Sequence, residues 1–381
     1  MPNQIDEQRI SLRDNAARFA HEQLNTDIVA SDRASIFHRD GWQKCAKFGL
    51  ISMAIPENCG GEGAPLSDLL AVMEGLGYGC EDMGLLFSLN AHLWTVAMPL
   101  AIYGTPAQRS RFLPGLMDGS LIGANGSTED EAGSDVFSMR THAVRDGDNY
   151  ILNGSKIYIT NAPIADLCLV YATIDPTLGP LGVTAFLIES NNPGIELSPP
   201  MEKMGLRTAQ MGRITLKNCR VPSDAILGRE GRGVKIFESA MEHERGCILA
   251  TTLGSMRRNL EACIIHARTR HQFGQPIGKN QAISHRIADM KVNLDAAREL
   301  VYRVGRLKDA GKDAMMEAAC AKLFVSETYT KFSLDALRIY GAQGYLVESP
   351  TERELRNSIA SVIYSGTSDI QRNIIASELG L

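Results

Sequence analysis

RNSIASVIYSGTSDIQR, residues 356–372, and MEHERGCIL, residues 241–249, are the two stretches around which the rest of the chain is ordered. The first contains Tyr364-Ser365-Gly366-Thr367, where Ser365 supplies a hydroxyl that cannot act as a base near neutral pH. The second carries two carboxylates, Glu242 and Glu244, on a helix. Two positions apart, they project about 200° from one another, so only one can face a given site. On pattern alone Glu242 and Glu244 are equal candidates for a base. The alternative for Glu244 is an ion pair with Arg245 or Lys235 on a solvated face. Helical spacing continues downstream. Ile287, Met290, Leu294, Ala297, Val301 and Val304 recur every three or four residues, the seam of a helix packed in a bundle. Met316, Ala319 and Leu323 open a further helix after Gly311.

Upstream, between residues 121 and 230, the period shortens to that of strands. Tyr150-Ile151-Leu152 and Lys156–Thr160 flank Asn153-Gly154, a dipeptide that favours a type I′ hairpin because both positions tolerate positive φ. Val183–Ile188 and Arg213–Leu216 are further strands, and Gly179-Pro180 and Pro199-Pro200 mark loops. Residues 1–120 read as helices at Gln8–Ala20, Gly41–Phe48 and Ser67–Leu76, with Ser67 as an N-cap. The strand-like run Gly49–Pro56, followed by Gly60-Gly61, is read as a buried linker between helices. The expected class is α+β: an N-terminal helical domain over 1–120, a β domain over 121–230, and a C-terminal helical bundle over 231–381.

Composition narrows the function classes. A chain of 381 residues can hold two or three domains, and 44% hydrophobic with 22% charged residues is ordinary for a globular enzyme. A net charge of -5 offers no basic field for nucleic acid or anionic lipid. Met1–Ile10 lacks the basic start and apolar core of a signal peptide, and the apolar run Leu93–Tyr103 is too short to span a bilayer. Eight scattered cysteines without a C-x-x-C pair argue for reduced thiols in the cytoplasm, and against a disulfide framework or metal site.

Four motifs, in order along nearly the whole chain, resemble those of the acyl-CoA dehydrogenase family. They are Thr128-Glu129-Asp130-Glu131-Ala132-Gly133-Ser134-Asp135, Ile157-Tyr158-Ile159-Thr160-Asn161, Arg270–Ile277 with Gln281, and Tyr364-Ser365-Gly366-Thr367. The resemblance implies that family's three-part fold, non-covalent FAD and a tetramer. A flavin ring is a flat apolar plate with polar edges, so it needs an aromatic wall and a few fixed donors. Tyr158 would lie over the ring, Thr160 near its N5 edge, and Asn125, Ser127 and Thr128 beside its pyrimidine side. Gly133 and Ser134 would meet the pyrophosphate, where glycine lets backbone come close and a hydroxyl donates. Arg270 would bind the pyrophosphate of a neighbouring subunit's FAD, with Phe273 and Gln281 serving the same flavin. Arg338 to Ala342 and Thr367 to Asp369 match the other cross-subunit segments. Three departures stand out: Asp130 and Glu131 make the flavin loop acidic, Tyr158 replaces a tryptophan, and Arg338 stands where glutamine is common.

Most members carry their catalytic glutamate at the position of Ser365, whereas the isovaleryl and long-chain branch carries it where Glu244-Arg245 stands here. The resemblance therefore implies Glu244 as the base that takes the Cα proton of an acyl thioester while the Cβ hydrogen leaves as hydride. The backbone N–H of Ser365 would polarise the thioester oxygen, a role that needs no carboxylate side chain. Arg245 and Ser365 thus fall on the substrate side. Within the family the chain is most similar to dehydrogenases of prolyl groups tethered to a carrier protein, along His266–Arg270, Asn280–Ala288, Asn161–Asp166 and Ser365–Asp369. The expected function is FAD-dependent oxidation of a carrier-bound prolyl group in secondary-metabolite biosynthesis. A carrier protein is then the partner, and oxygen or an electron-transfer flavoprotein the acceptor. A short or branched acyl-CoA is the alternative substrate, and a non-catalytic FAD-fold scaffold the remaining alternative.

Overall fold

The computed structural model describes the chain from Pro2 to Leu381, with side chains from Glu7 onward; Met1 of the polar start lies outside the described residues. Helices come first. Pro2–Gln23 packs on Leu66–Gly79 so closely that a Cβ on Gly75 or Gly79 would lie 2.1 Å from the carbonyl oxygen of Arg13 or Ala17. Ser67 does not cap its helix, contrary to expectation; Pro65 is the N-cap. The free N–H groups of Leu66 and Ser67 donate instead to the Asp309 carboxylate at 2.6 and 3.2 Å, across 243 and 242 residues of chain. The run Gly49–Pro56 is not an extended linker: Leu50–Ala54 forms one helical turn with Leu50 and Ile51 buried.

The apolar segment is also longer than its sequence run. Met83–His92, a π turn over Leu93–Ala97, and Met98–Tyr103 form a continuous 21-residue helix, within which an 18-residue stretch has a mean hydropathy of 1.5. By length and composition it could cross a membrane, but 78% of that stretch is buried within this protein.

Eight strands form the central sheet: β1 (Gly123–Gly126), β2 (His142–Asp146), β3 (Asn149–Thr160), β4 (Leu167–Thr173), β5 (Val183–Glu189), β6 (Ile195–Leu197), β7 (Met211–Pro222) and β8 (Ile226–Leu227). Their order is β6-β7-β3-β2-β4-β5-β8, with β1 added parallel to β4. Asn153-Gly154 does not turn the chain. β3 runs straight through it with a bulge between Leu152 and Gly154, and the hairpin forms at Gly147, φ 60°, between β2 and β3. The alternation of β4 and β5 divides two cores. Leu167, Leu169, Tyr171, Ala185 and Leu187 face the helices, while Cys168, Val170, Phe186 and Ile188 fill the core within the sheet domain. A strand buried on both faces reads as an unbroken apolar run, which is why β4 lacked a period-two signature.

The C-terminal bundle comprises Gly233–Cys247, Ala250–Thr269, Gln281–Asp309 and Met315–Tyr340, with Pro350–Ser361 and Ser368–Glu378 against them. The expected seam faces inward: Met290, Leu294, Ala297, Val301 and Val304 are buried, and Ile287 packs against them.

Candidate active site

Glu244 lies on Gly233–Cys247 with its side chain turned inward, 7% exposed. Glu242, two positions away, points elsewhere: it pairs with Lys308 at 2.5 Å and accepts from the Ala314 N–H at 3.2 Å, tying its helix to the bundle. The helix phase thus sends one carboxylate to a structural ion pair and the other to an interior. There, burial raises the Glu244 carboxyl to about 7; Ser365, Arg245 and Lys322 pull the other way. Burial also lowers the Lys322 ammonium to about 8, with Glu244 holding it up. Lys322 is completely buried, donates to the Ser361 carbonyl at 2.8 Å, and stands 5.6 Å from the Tyr364 ring centroid.

The Tyr364–Thr367 turn is held facing this carboxylate. Ser365 has φ 55° and Gly366 φ 88°, a left-handed pair that is strained at the serine. The strain is offset by hydrogen bonds. Arg245 Nε donates to the Ser365 carbonyl at 3.1 Å. The fully buried Gln371 amide donates to the Ser365 and Gly366 carbonyls at 3.2 and 2.9 Å. Thr367 Oγ1 accepts from the Ile370 N–H at 3.3 Å, capping the last helix. With its carbonyl turned to Arg245 and Gln371, Ser365 keeps a buried Oγ that meets no partner at hydrogen-bond geometry, although it faces Glu244 and favours its charged form. Tyr364 packs on Phe87, ring centroids 4.7 Å apart. These two side chains, with Met83, Leu206, Ile248, Thr251, Thr252, Tyr329 and Asn357, line a small cavity one helical turn beyond Glu244.

The candidate flavin residues gather on β1, the loop after it, and β3. A second register shift, between Lys156 and Ile159, frees Tyr158 from the β7 ladder at φ 59° and leaves it 59% exposed. Ile157 N–H donates to the Thr128 carbonyl at 2.9 Å, which sets the Ser127–Thr128 segment beside Tyr158 and Thr160. Asn125 Oδ1 is buried without a partner, and a Cβ on Gly133 would meet nothing within 4 Å. An exposed aromatic on a strand, an unsatisfied acceptor and an open glycine-serine loop fit a plate-shaped ligand with polar edges and a phosphate tail. The acidity of the loop is neutralised locally: Asp130 takes two bonds from Arg213 at 2.7 and 2.9 Å, and Glu131 pairs with Arg140.

A residue set that the sequence did not single out lies beneath this loop. Lys156, 0% exposed, meets Glu129 at 2.7 Å and donates to the Ser127 carbonyl at 3.2 Å. Glu129 also accepts from the N–H groups of Arg140 and Thr141 at 2.6 and 3.0 Å. Asn161, φ 68° and fully buried, donates to the carbonyls of Ser88 and Gly123 at 3.0 and 3.2 Å, fixing the sheet to the first helical layer. Lys322 was likewise missed, though a lone lysine in Ala318-Ala319-Cys320-Ala321-Lys322-Leu323-Phe324-Val325 was a visible signal.

The remaining candidates stand apart. Arg270 precedes a small hairpin, His271–Gln272 with Gln275–Pro276, whose tip presents Phe273 at 94% exposure. Gln281, Arg338, Ala342 and Asp369 are exposed as well, and among the described residues the Arg270 side chain has no hydrogen-bond or ion-pair partner. Arg338 and Asp369 make short-range pairs with Asp335 and Arg372.

Three family models match: "Acyl-CoA dehydrogenase, N-terminal domain" over residues 6–120, "middle domain" over 124–219 and "C-terminal domain" over 231–380. The chain is 42% identical over 366 residues to an L-prolyl-[peptidyl-carrier protein] dehydrogenase of Pseudomonas fluorescens, covering 96% of each. Among solved structures, the prolyl acyl carrier protein oxidase AnaB superposes with a TM-score of 0.97 at 46% identity, over 98% of this chain and 99% of that one. PigA with FAD and proline gives 0.95 at 38%, over 98% and 97%.

Proposed function

We propose, from the premise that this chain belongs to the acyl-CoA dehydrogenase family, that it oxidises a prolyl group held as a thioester on a carrier protein. It is a flavoenzyme, and bound FAD supplies the two-electron acceptor of the reaction. The observation that carries the reading is the pairing of a buried Glu244 with a serine at Ser365, in a chain that matches prolyl-carrier enzymes from end to end.

Glu244 is the base. With its carboxyl raised to about 7, it takes up the Cα proton readily, and its burial keeps competing water away. Ser365 presents its peptide N–H toward the thioester oxygen, and the bonds from Arg245 and Gln371 to the Ser365 carbonyl fix the next peptide unit, so that the left-handed turn at Ser365 and Gly366 is held on its C-terminal side. Lys322 stabilises the carboxylate form of Glu244 before it accepts the proton. Asn125, Ser127, Thr128, Gly133, Ser134, Tyr158 and Thr160 hold the flavin, and the exposed Arg270, Phe273, Gln281, Arg338, Ala342 and Asp369, with the half-buried Thr367, serve a neighbouring subunit. The test is anaerobic mixing of the yellow protein with prolyl-carrier protein, isovaleryl-CoA or butyryl-CoA while following the oxidised flavin band. Fastest bleaching by prolyl-carrier protein supports the reading. Preference for a CoA ester promotes the acyl-CoA alternative.

A further inference from the structure

On the carrier-bound substrate reading, the buried Glu244 is reached by a group carried on a second protein, and the surface at the outer end of the Glu244 helix has the composition to receive that protein. The loop Pro176–Gly182 presents Leu178 and Leu181, 51% and 71% exposed, beside a segment rich in unpaired cations. Arg229, Arg232 and Lys235 are all exposed, and among the described residues none has a carboxylate within ion-pair distance. Nearby acids are mostly engaged elsewhere: Glu230 pairs with Arg145 at 3.6 Å and Asp175 accepts from Thr177, while the exposed Glu238 shares the helix face of Lys235 without closing an ion pair.

The two features form one surface. A Cβ on Gly231 would lie 2.6 Å from the Leu181 carbonyl oxygen, and one on Gly233 would lie 2.8 Å from that of Val183. The Gly231 N–H also donates to Thr184 Oγ1 at 2.9 Å, so the approach to the helix is seated directly on this loop. From Arg232, the N-cap, to Glu244 is twelve positions, about 18 Å along a helix axis. An apolar pair flanked by three free cations, gathered at the N-terminal end of the helix that carries the base, matches a small acidic domain that feeds a long flexible arm inward. We propose that the carrier protein docks here, Leu178 and Leu181 taking an apolar contact while Arg229, Arg232 and Lys235 meet its acidic face.

This proposal rests on the carrier-bound substrate reading, and the experiment separates the two. The FAD-loaded enzyme and its Arg229→Glu/Arg232→Glu/Lys235→Glu variant are compared for binding of pantetheinylated carrier without a prolyl group. They are compared again for the KM of prolyl-carrier protein, prolyl-pantetheine thioester and prolyl-CoA. Carrier binding and carrier KM should weaken about tenfold or more at low salt, with the gap closing as ionic strength rises. The kcat and KM for the short pantetheine thioester should hold within about twofold, because it needs no docking surface. Leu181→Ser should weaken the carrier alone, and without the salt dependence. Unchanged carrier binding in both variants overturns the proposal, as does a variant that loses the small thioester and the carrier equally. Weakening confined to prolyl-CoA also overturns it, since the cations then read a nucleotide phosphate. Charge-sensitive carrier binding without any prolyl oxidation would sink the substrate reading and leave the docking surface standing.

Discussion

Replacing Glu244 by glutamine separates the role of this residue in catalysis from its cost in stability. The side chain is 7% exposed, and burial lifts its carboxyl from an ordinary 4.5 to about 7. A raised acid pKa means that the native state holds the proton more tightly than the unfolded chain. The residue is therefore neutral and harmless at low pH, and increasingly destabilising as pH rises through 4.5 and toward 7. At 1.36 kcal/mol per pK unit, the penalty is about 1 kcal/mol at pH 5 and about 3 kcal/mol at pH 8. Glutamine keeps the size and never ionises, so Glu244→Gln should be more stable than the parent by a margin that grows over that range. The same change removes the proton acceptor and should slow flavin reduction by prolyl-carrier protein by on the order of 10²–10⁴-fold. In the parent, flavin reduction should rise with pH to a plateau, with a midpoint near 7. Denaturant titrations at pH 5 and 8, with anaerobic stopped-flow of the flavin band, measure both effects. Reduction at the parent rate would refute the assignment of the base. An active-site effect without the pH-dependent stability gain would refute the burial argument.

Other changes have distinct signatures. Glu242→Gln breaks the pair with Lys308 and weakens the cap on Ala314, so it should lower the unfolding midpoint while leaving flavin reduction within a few-fold of the parent. Ser365→Ala should change the reduction rate little, because the peptide N–H survives. Ser365→Glu added to Glu244→Gly should recover part of the activity lost in Glu244→Gly, and no recovery would show that the two positions do not reach the same Cα. Lys156→Met strands Glu129 beneath the flavin loop; an unpaired buried charge costs about 3–5 kcal/mol, so titration of apoprotein with FAD should show weakened binding alongside a lowered unfolding midpoint.

Several things were legible in the sequence alone. The three-and-four spacing of Ile287 to Val304 marked the inward seam of a bundle helix, because an apolar stripe on a helix has only one way to leave water. The order of four motifs marked the family, and the absence of a carboxylate at Ser365 directed attention to Glu244. Periodicity identifies a helix, however, and leaves open which of its neighbours each face meets. Only packing decided that Glu242 meets Lys308 and Glu244 faces inward. Only packing placed Lys322, 78 positions further along the chain, close enough to bias that carboxylate. The cap on Leu66 and Ser67 comes from Asp309, and Asn153-Gly154 was kept in a strand by its pairing with β7 against its own turn preference. The acidity of Glu244 belongs to the same class. It arises from removing a charge from water, and how much water remains around a side chain is settled by every element that closes over it, not by the residues beside it in the chain.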